Sequence, residues 1–191
     1  ECEFLGSVNT LISTSKLKNL VYESPIQKNA GLDVYEAPQK DHNYLITVDV
    51  ARGLGNDYSA FIVFDITNFP YKAVAKYRNN EIKPMLFPSI IDDIGKAYNK
   101  AFILCEVNDI GDQVASILNY DLEYDNLLMC SQRGRAGQVV GAGFSGKRSQ
   151  LGVRTTQAVK KLGCSNLKTL LEDDKILIID YDIISELTTF S

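Results

Sequence analysis

The chain has 191 residues, 45% hydrophobic and 23% charged, with a formal net charge of −4. That is enough to bury one core of ordinary soluble composition, and no stretch reaches the roughly 18 to 20 apolar residues of a membrane span, so a soluble, intracellular domain with no membrane partner is expected. Four cysteines at 2, 105, 130 and 164 lack paired spacing and the one histidine, His42, has no ligand motif around it, which argues against a zinc site and against nucleophilic triads that need histidine.

Residues 1–43 carry turn formers (Gly6, Ser13, Pro25, Gly31, Pro38) and no sustained hydrophobic period, which predicts an arm packed outside the domain. From Tyr44 the pattern changes. Apolar runs over 44–50, 58–65 and 71–77 with short connections predict an antiparallel meander. An apolar stripe at helical spacing follows over 85–99, then a strand at 101–106, a helix over 113–119 and a strand at 126–130. A basic, glycine-rich stretch occupies 131–152, succeeded by an amphipathic segment at 155–162, a helix at 166–171, a strand at 175–179 and a helix over 183–190. A meander first and alternating helix and strand afterwards predict an α/β fold with a mixed sheet flanked by helices.

Within this pattern the acids are the informative residues. Asp49 ends the run 44–50, where an ionised carboxylate needs a cation, donors or water. The loop after it contains Gly53 and Gly55 and closes on Asp57. Glu106 ends a second apolar strand, 101–106, before Asn108, Asp109 and Gly111. Carboxylates brought together from strand ends hold hard divalent cations, and a pair of such ions about 3.5–4 Å apart can activate water against a phosphodiester. The plainer reading is that Asp49 caps the loop amides and Asp57 starts the next strand.

Charge is unevenly distributed. Between Asn126 and Leu171 there is no acid, while Arg133, Arg135, Lys147, Arg148, Arg154, Lys160, Lys161 and Lys168 are all cationic. A face of this kind attracts a phosphate backbone whatever its sequence. Gly141 to Lys147 imitates the start of a nucleotide-binding P-loop, but Arg148 stands where a serine or threonine would hold Mg²⁺, so a basic glycine-rich hairpin is the better account.

With these residues in hand, the chain resembles the C-terminal nuclease domain of the large terminase subunit of tailed bacteriophages, most closely the T-even-like group. The matching pieces are 44–49 with Gly53 to Tyr58, 103–108 with Gly111, 122–124, 162–171 and 186–190; residues 1–20 resemble the segment that joins the packaging ATPase to this nuclease. The resemblance implies an RNase H-like fold over 44–191, an arm from the ATPase domain over 1–43, and an Mg²⁺- or Mn²⁺-dependent endonuclease, with two ions, cutting concatemeric double-stranded viral DNA in the cytoplasm of the infected host. It implies portal and small terminase subunit as partners beside the ATPase domain. Asp49 and Glu106 fall on two of the family's three metal-binding acids and Asp57 on a further acid nearby; the third lies beyond the position matching Ser191, so the sequence is expected to be a shortened form of the domain. Arg133, Arg135, Lys147, Arg148, Arg154, Lys160 and Lys161 are the expected DNA contacts. A non-enzymatic DNA clamp within the packaging assembly is the alternative.

Overall fold

The structure, a computed structural model, describes residues 10–132, 138–141 and 149–190. Its main sheet starts earlier than the sequence suggests. Strands β1 (Gln27–Asn29) and β2 (Leu32–Val34) form a hairpin whose two-residue turn places Ala30 at φ 46° and Gly31 at φ 92°. Two successive left-handed residues match the twist of an antiparallel pair. β2 then lies on the third meander strand, so part of the expected outer arm is sheet.

The meander itself is as predicted. Strands β3 (Tyr44–Asp49), β4 (Ser59–Asp65) and β5 (Tyr71–Asn79) pair antiparallel in sequence, with a bulge in β5 at the register shift between Val63 and Phe64. Next come helix α2 (Phe87–Ala97) and β6 (Phe102–Cys105), which pairs parallel to β3. Helix α3 (Gly111–Ser116) runs into a π-helical turn over Ile117–Asp121, and the segment at Leu127 bridges Ile103 in parallel. A separate three-stranded sheet has β7 (Met129–Gln132) between β8 (Gln138–Gly141) and β9 (Ser149–Leu151). Helix α4 (Gln157–Glu172), strand β10 (Ile176–Leu177), parallel to β5, and helix α5 (Tyr181–Thr189) complete the chain. The main sheet reads β1-β2-β5-β4-β3-β6, with β10 against β5.

Alternation along the strands gives the sheet two different faces. One carries Ile46, Val48, Phe61, Val63, Tyr77, Ile103 and Cys105 and is buried under Phe87 and Ile91 of α2 and Val114 and Ala115 of α3. The other, with Ile62, Phe64 and Ala73, packs under a smaller cluster from Leu17, Leu171, Ile184 and Leu187. Helix α1 (Thr14–Lys18) contributes Leu17 to that second layer. The second face also holds a charged group that packing alone does not require: Lys76, paired with Ile62 and 6% exposed, reaches Asp180 and Asp182 at 2.6 Å each and Asp33 at 3.5 Å. Tyr35 donates to Asp180 at 2.5 Å, and Asp180 also caps α5 by accepting from the Ile183 amide.

Sequence and structure differ at α4, where the two expected segments, 155–162 and 166–171, are one helix running through Gly163. A Cβ at Gly163 would meet nothing within 4 Å, so this glycine marks no close approach.

Candidate active site

β3 and β6 run parallel, with Val48 opposite Cys105, so the next residues on each, Asp49 and Glu106, emerge side by side at the carboxyl end of the sheet. The Glu106 amide donates to the Val48 carbonyl at 2.9 Å, carrying the pairing to that point. Both acids, with Thr47, Ala60, Ile62 and Leu104, line one cleft of about 270 Å³ on the half-covered sheet face. Asp49 also opens onto a second cleft of about 460 Å³, whose walls include Arg52, Asn56, Asp57, Tyr58 and Asp109. Partial desolvation at the strand end and the neighbouring Glu106 carboxylate push Asp49 up to about 6; the Val50 amide offsets part of this and Asp57 adds a smaller rise. Two carboxylates held this closely form an anionic site of oxygen donors that suits a hard divalent cation.

The loop after Asp49 is fixed by main-chain contacts. The buried Ser59 hydroxyl accepts from the Ala51 amide at 3.0 Å and donates to the Ala51 carbonyl at 3.2 Å. Gly53 has φ 67°, and a Cβ there would lie 2.3 Å from the Ile82 carbonyl oxygen, so no other residue fits without displacement.

Glu106 is held by Asn108. The Asn108 side-chain amide donates to Glu106 Oε1 at 3.1 Å and to the Thr155 carbonyl at 2.9 Å, while its oxygen accepts from the Thr155 amide at 3.1 Å. This extends a ladder in which Val153 donates to the Cys105 carbonyl and accepts from Val107. The segment that leads from the three-stranded sheet to α4 is thereby tied to the acid pair. Gly111 allows the turn into α3, because a Cβ would come within 2.0 Å of the Glu106 carbonyl oxygen.

Of the residues singled out from sequence, the structure brings Asp49 and Glu106 together and puts Asp57 in the wall of the adjoining cleft. Among the described residues no three acidic, histidine or cysteine side chains gather closely enough to hold a metal ion. Arg154 follows Val153, which bridges Glu106, so it flanks the site. Lys160 and Lys161 stand exposed on α4, one turn and more beyond Thr155. Arg133, Arg135, Lys147 and Arg148 lie outside the described residues. Arg52 and Asn108 were not assigned roles from sequence; their spacing, three residues after Asp49 and two after Glu106, is the signal that marks them.

A mixed sheet that places acids at the adjoining ends of a meander strand and its parallel neighbour, with helices on both faces, defines an RNase H-like domain. A family model described as the Terminase RNaseH-like domain matches residues 46–190, and the chain belongs to that family. Among solved structures, the large terminase nuclease from thermophilic phage G20c with bound magnesium superposes with a TM-score of 0.70 at 20% identity, over 95% of this chain and 80% of that one. The large terminase nuclease domain of Thermus phage P74-26 gives a TM-score of 0.63 at 23% identity, over 94% and 77%. These likenesses carry the fold. In addition, no helix among the described residues is long and apolar enough to cross a membrane.

Proposed function

We propose that the domain hydrolyses phosphodiester bonds of double-stranded DNA as the endonuclease of a phage packaging terminase, with Asp49 and Glu106 holding a divalent metal ion. The observation that carries this reading is that the parallel pairing of β3 and β6 sets these two carboxylates side by side in one cleft. The G20c relative has been seen with magnesium and with cobalt, and the oxygen donors here suit Mg²⁺ or Mn²⁺, one ion or two. When bound, the metal would supply positive charge for the phosphate and lower the pKa of a coordinated water.

The protein's own residues do the rest. Asn108 orients the Glu106 carboxylate through a fixed main-chain ladder. Asp57, in the wall of the adjoining cleft, would help to hold a second ion or a water activated by the metal. Arg154, Lys160 and Lys161, together with Arg133, Arg135, Lys147 and Arg148 of the basic stretch, would hold the backbone without reading bases. We assign the nuclease to 44–191, its sheet extended by β1 and β2, and the role of connection to a packaging ATPase to 1–43, with portal and small terminase subunit as partners and the infected cell's cytoplasm as the setting. Resemblance alone supports these last assignments.

The test is a supercoiled-plasmid nicking assay with Mn²⁺ or Mg²⁺, run beside calorimetry of metal binding. Asp49→Asn and Glu106→Gln should each remove both metal binding and cleavage while the circular dichroism spectrum stays unchanged. DNA binding that survives without any metal binding in the wild-type protein would favour the clamp instead.

A further inference from the structure

Arg52 and Asp109 form a two-pronged ion pair at the mouth of the cleft beside Asp49: Arg52 Nε donates to Asp109 Oδ2 and Nη2 to Oδ1, both at 2.8 Å. Each partner stands three residues beyond an acid of the site, Arg52 after Asp49 and Asp109 after Glu106, so the pair bridges the two loops that carry the chemistry. The loops have other tethers besides the pair. Gly53 is pressed on the Ile82 carbonyl, the Gly55 amide donates to the Asn80 carbonyl at 2.9 Å, and Asn108 is clamped to Thr155.

The pair is therefore not needed to shape the loops, and its stabilising effect is small. Its side chains are 66% and 61% exposed, and water competes well for ion pairs of that kind. Its geometry is nevertheless the parallel fork that a guanidinium offers equally to the two non-bridging oxygens of a phosphodiester. Among the described residues lining this cleft, Arg52 is the one cation beside three carboxylates, Asp49, Asp57 and Asp109. A phosphate entering here meets repulsion from every charged wall residue except Arg52.

We propose that Arg52 is the phosphate-anchoring residue of the cleft and that Asp109 occupies its guanidinium until a DNA phosphate displaces it, so that the pair controls how tightly duplex DNA enters beside Asp49. This rests on the nuclease reading of the site. Asp109 is then a built-in competitor: it keeps the anchor oriented and weakens DNA binding at the same time.

The experiment is fluorescence anisotropy of a short labelled duplex with the wild-type protein, Arg52→Ala, Asp109→Ala and the double variant, in chelator so that metal and cleavage do not enter. Arg52→Ala should weaken binding about tenfold and lower the slope of log affinity against log salt by about one. Asp109→Ala should tighten binding several-fold, and the double variant should bind no better than Arg52→Ala. Arg52→Lys, which keeps the charge but not the fork, should restore the salt slope and only part of the affinity. An Asp109→Ala gain of equal size in both backgrounds overturns the proposal, because removal of any nearby negative charge would do that. So does unchanged affinity in Arg52→Ala. If the wild-type protein binds and cuts DNA but ignores these substitutions, the anchor alone is wrong; a wild-type protein that neither binds nor cuts DNA removes the nuclease reading with it.

Discussion

Asp49 and Glu106 stand side by side at the ends of the parallel strands β3 and β6, and the negative charge of Glu106 helps to raise the Asp49 carboxyl, so the arrangement favours a proton or a metal ion between them over two bare charges. Asp49→Asn should therefore separate function from stability. Because the folded-state pKa of Asp49 is raised to about 6 from 3.8, its ionisation costs the metal-free fold stability as pH rises through 6, and below 3.8 the effect vanishes. The variant should lose cleavage yet melt above the wild-type protein in chelator at pH 8, with the difference closing toward pH 4. A wild-type protein that melts higher than the variant at pH 8 without metal would contradict the assigned repulsion.

Asn108 is a positioning residue whose effect should appear in metal affinity before it appears in folding. Asn108→Ala removes the donor to Glu106 Oε1 and leaves both main-chain groups of Thr155 without their side-chain partner. Loss of an outer-shell orienting group typically lowers metal affinity about 10- to 100-fold. Calorimetric titration with Mn²⁺ should show a drop of that order, while hydrogen exchange at the start of α4 speeds up. Asn108→Asp should not rescue, since it loses the donor and adds a third negative charge beside Glu106.

The buried lysine makes a prediction about acid stability. Lys76→Met should destabilise the fold by about 3–5 kcal/mol, because Asp180 would remain buried without a cation and Asp33 would keep only the exposed Lys28. Burial alone would raise Asp180, but the hydrogen bonds from Lys76, Tyr35 and the Ile183 amide outweigh it and hold the carboxyl below its usual range. A group depressed in this way stabilises the fold above its unfolded pKa, and the contribution is lost as pH falls from about 4 through the native value. Urea unfolding of the wild-type protein should weaken over that window, and the variant should show a shallower dependence there.

The meander and the two acids were legible in sequence because each rests on a local signal. Runs such as 58–65 alternate or stay apolar at strand length, and a charged residue ending such a run is conspicuous. The β1–β2 hairpin was hidden because Ala30 occupies the left-handed turn position where asparagine or aspartate would announce it, and because its strands are three residues each. α4 was split in two by Gly163, a residue of poor helix propensity that the long helix overrides. The pairing of Arg52 with Asp109, and of Asn108 with Thr155, depends on which loops the parallel β3–β6 register brings together. No local pattern contains that information.

Two glycines should respond oppositely to the same substitution, and together they test how the site is built. Gly163 lies on an exposed part of α4 with open space where a side chain would go, so Gly163→Ala should stabilise the domain by about 1 kcal/mol through helix propensity and leave cleavage unchanged. Gly111 begins α3, and the Cβ of an alanine there would sit 2.0 Å from the Glu106 carbonyl oxygen, far inside contact distance. To relieve it the turn between β6 and α3 must shift, carrying Glu106 away from Asp49 and loosening Asn108 from Thr155. Gly111→Ala should therefore lower the melting temperature and weaken Mn²⁺ binding together. Thermal melts and calorimetry on both variants decide the matter: equal, small effects at the two positions would mean that the close approach at Gly111 does not set the geometry of the acid pair.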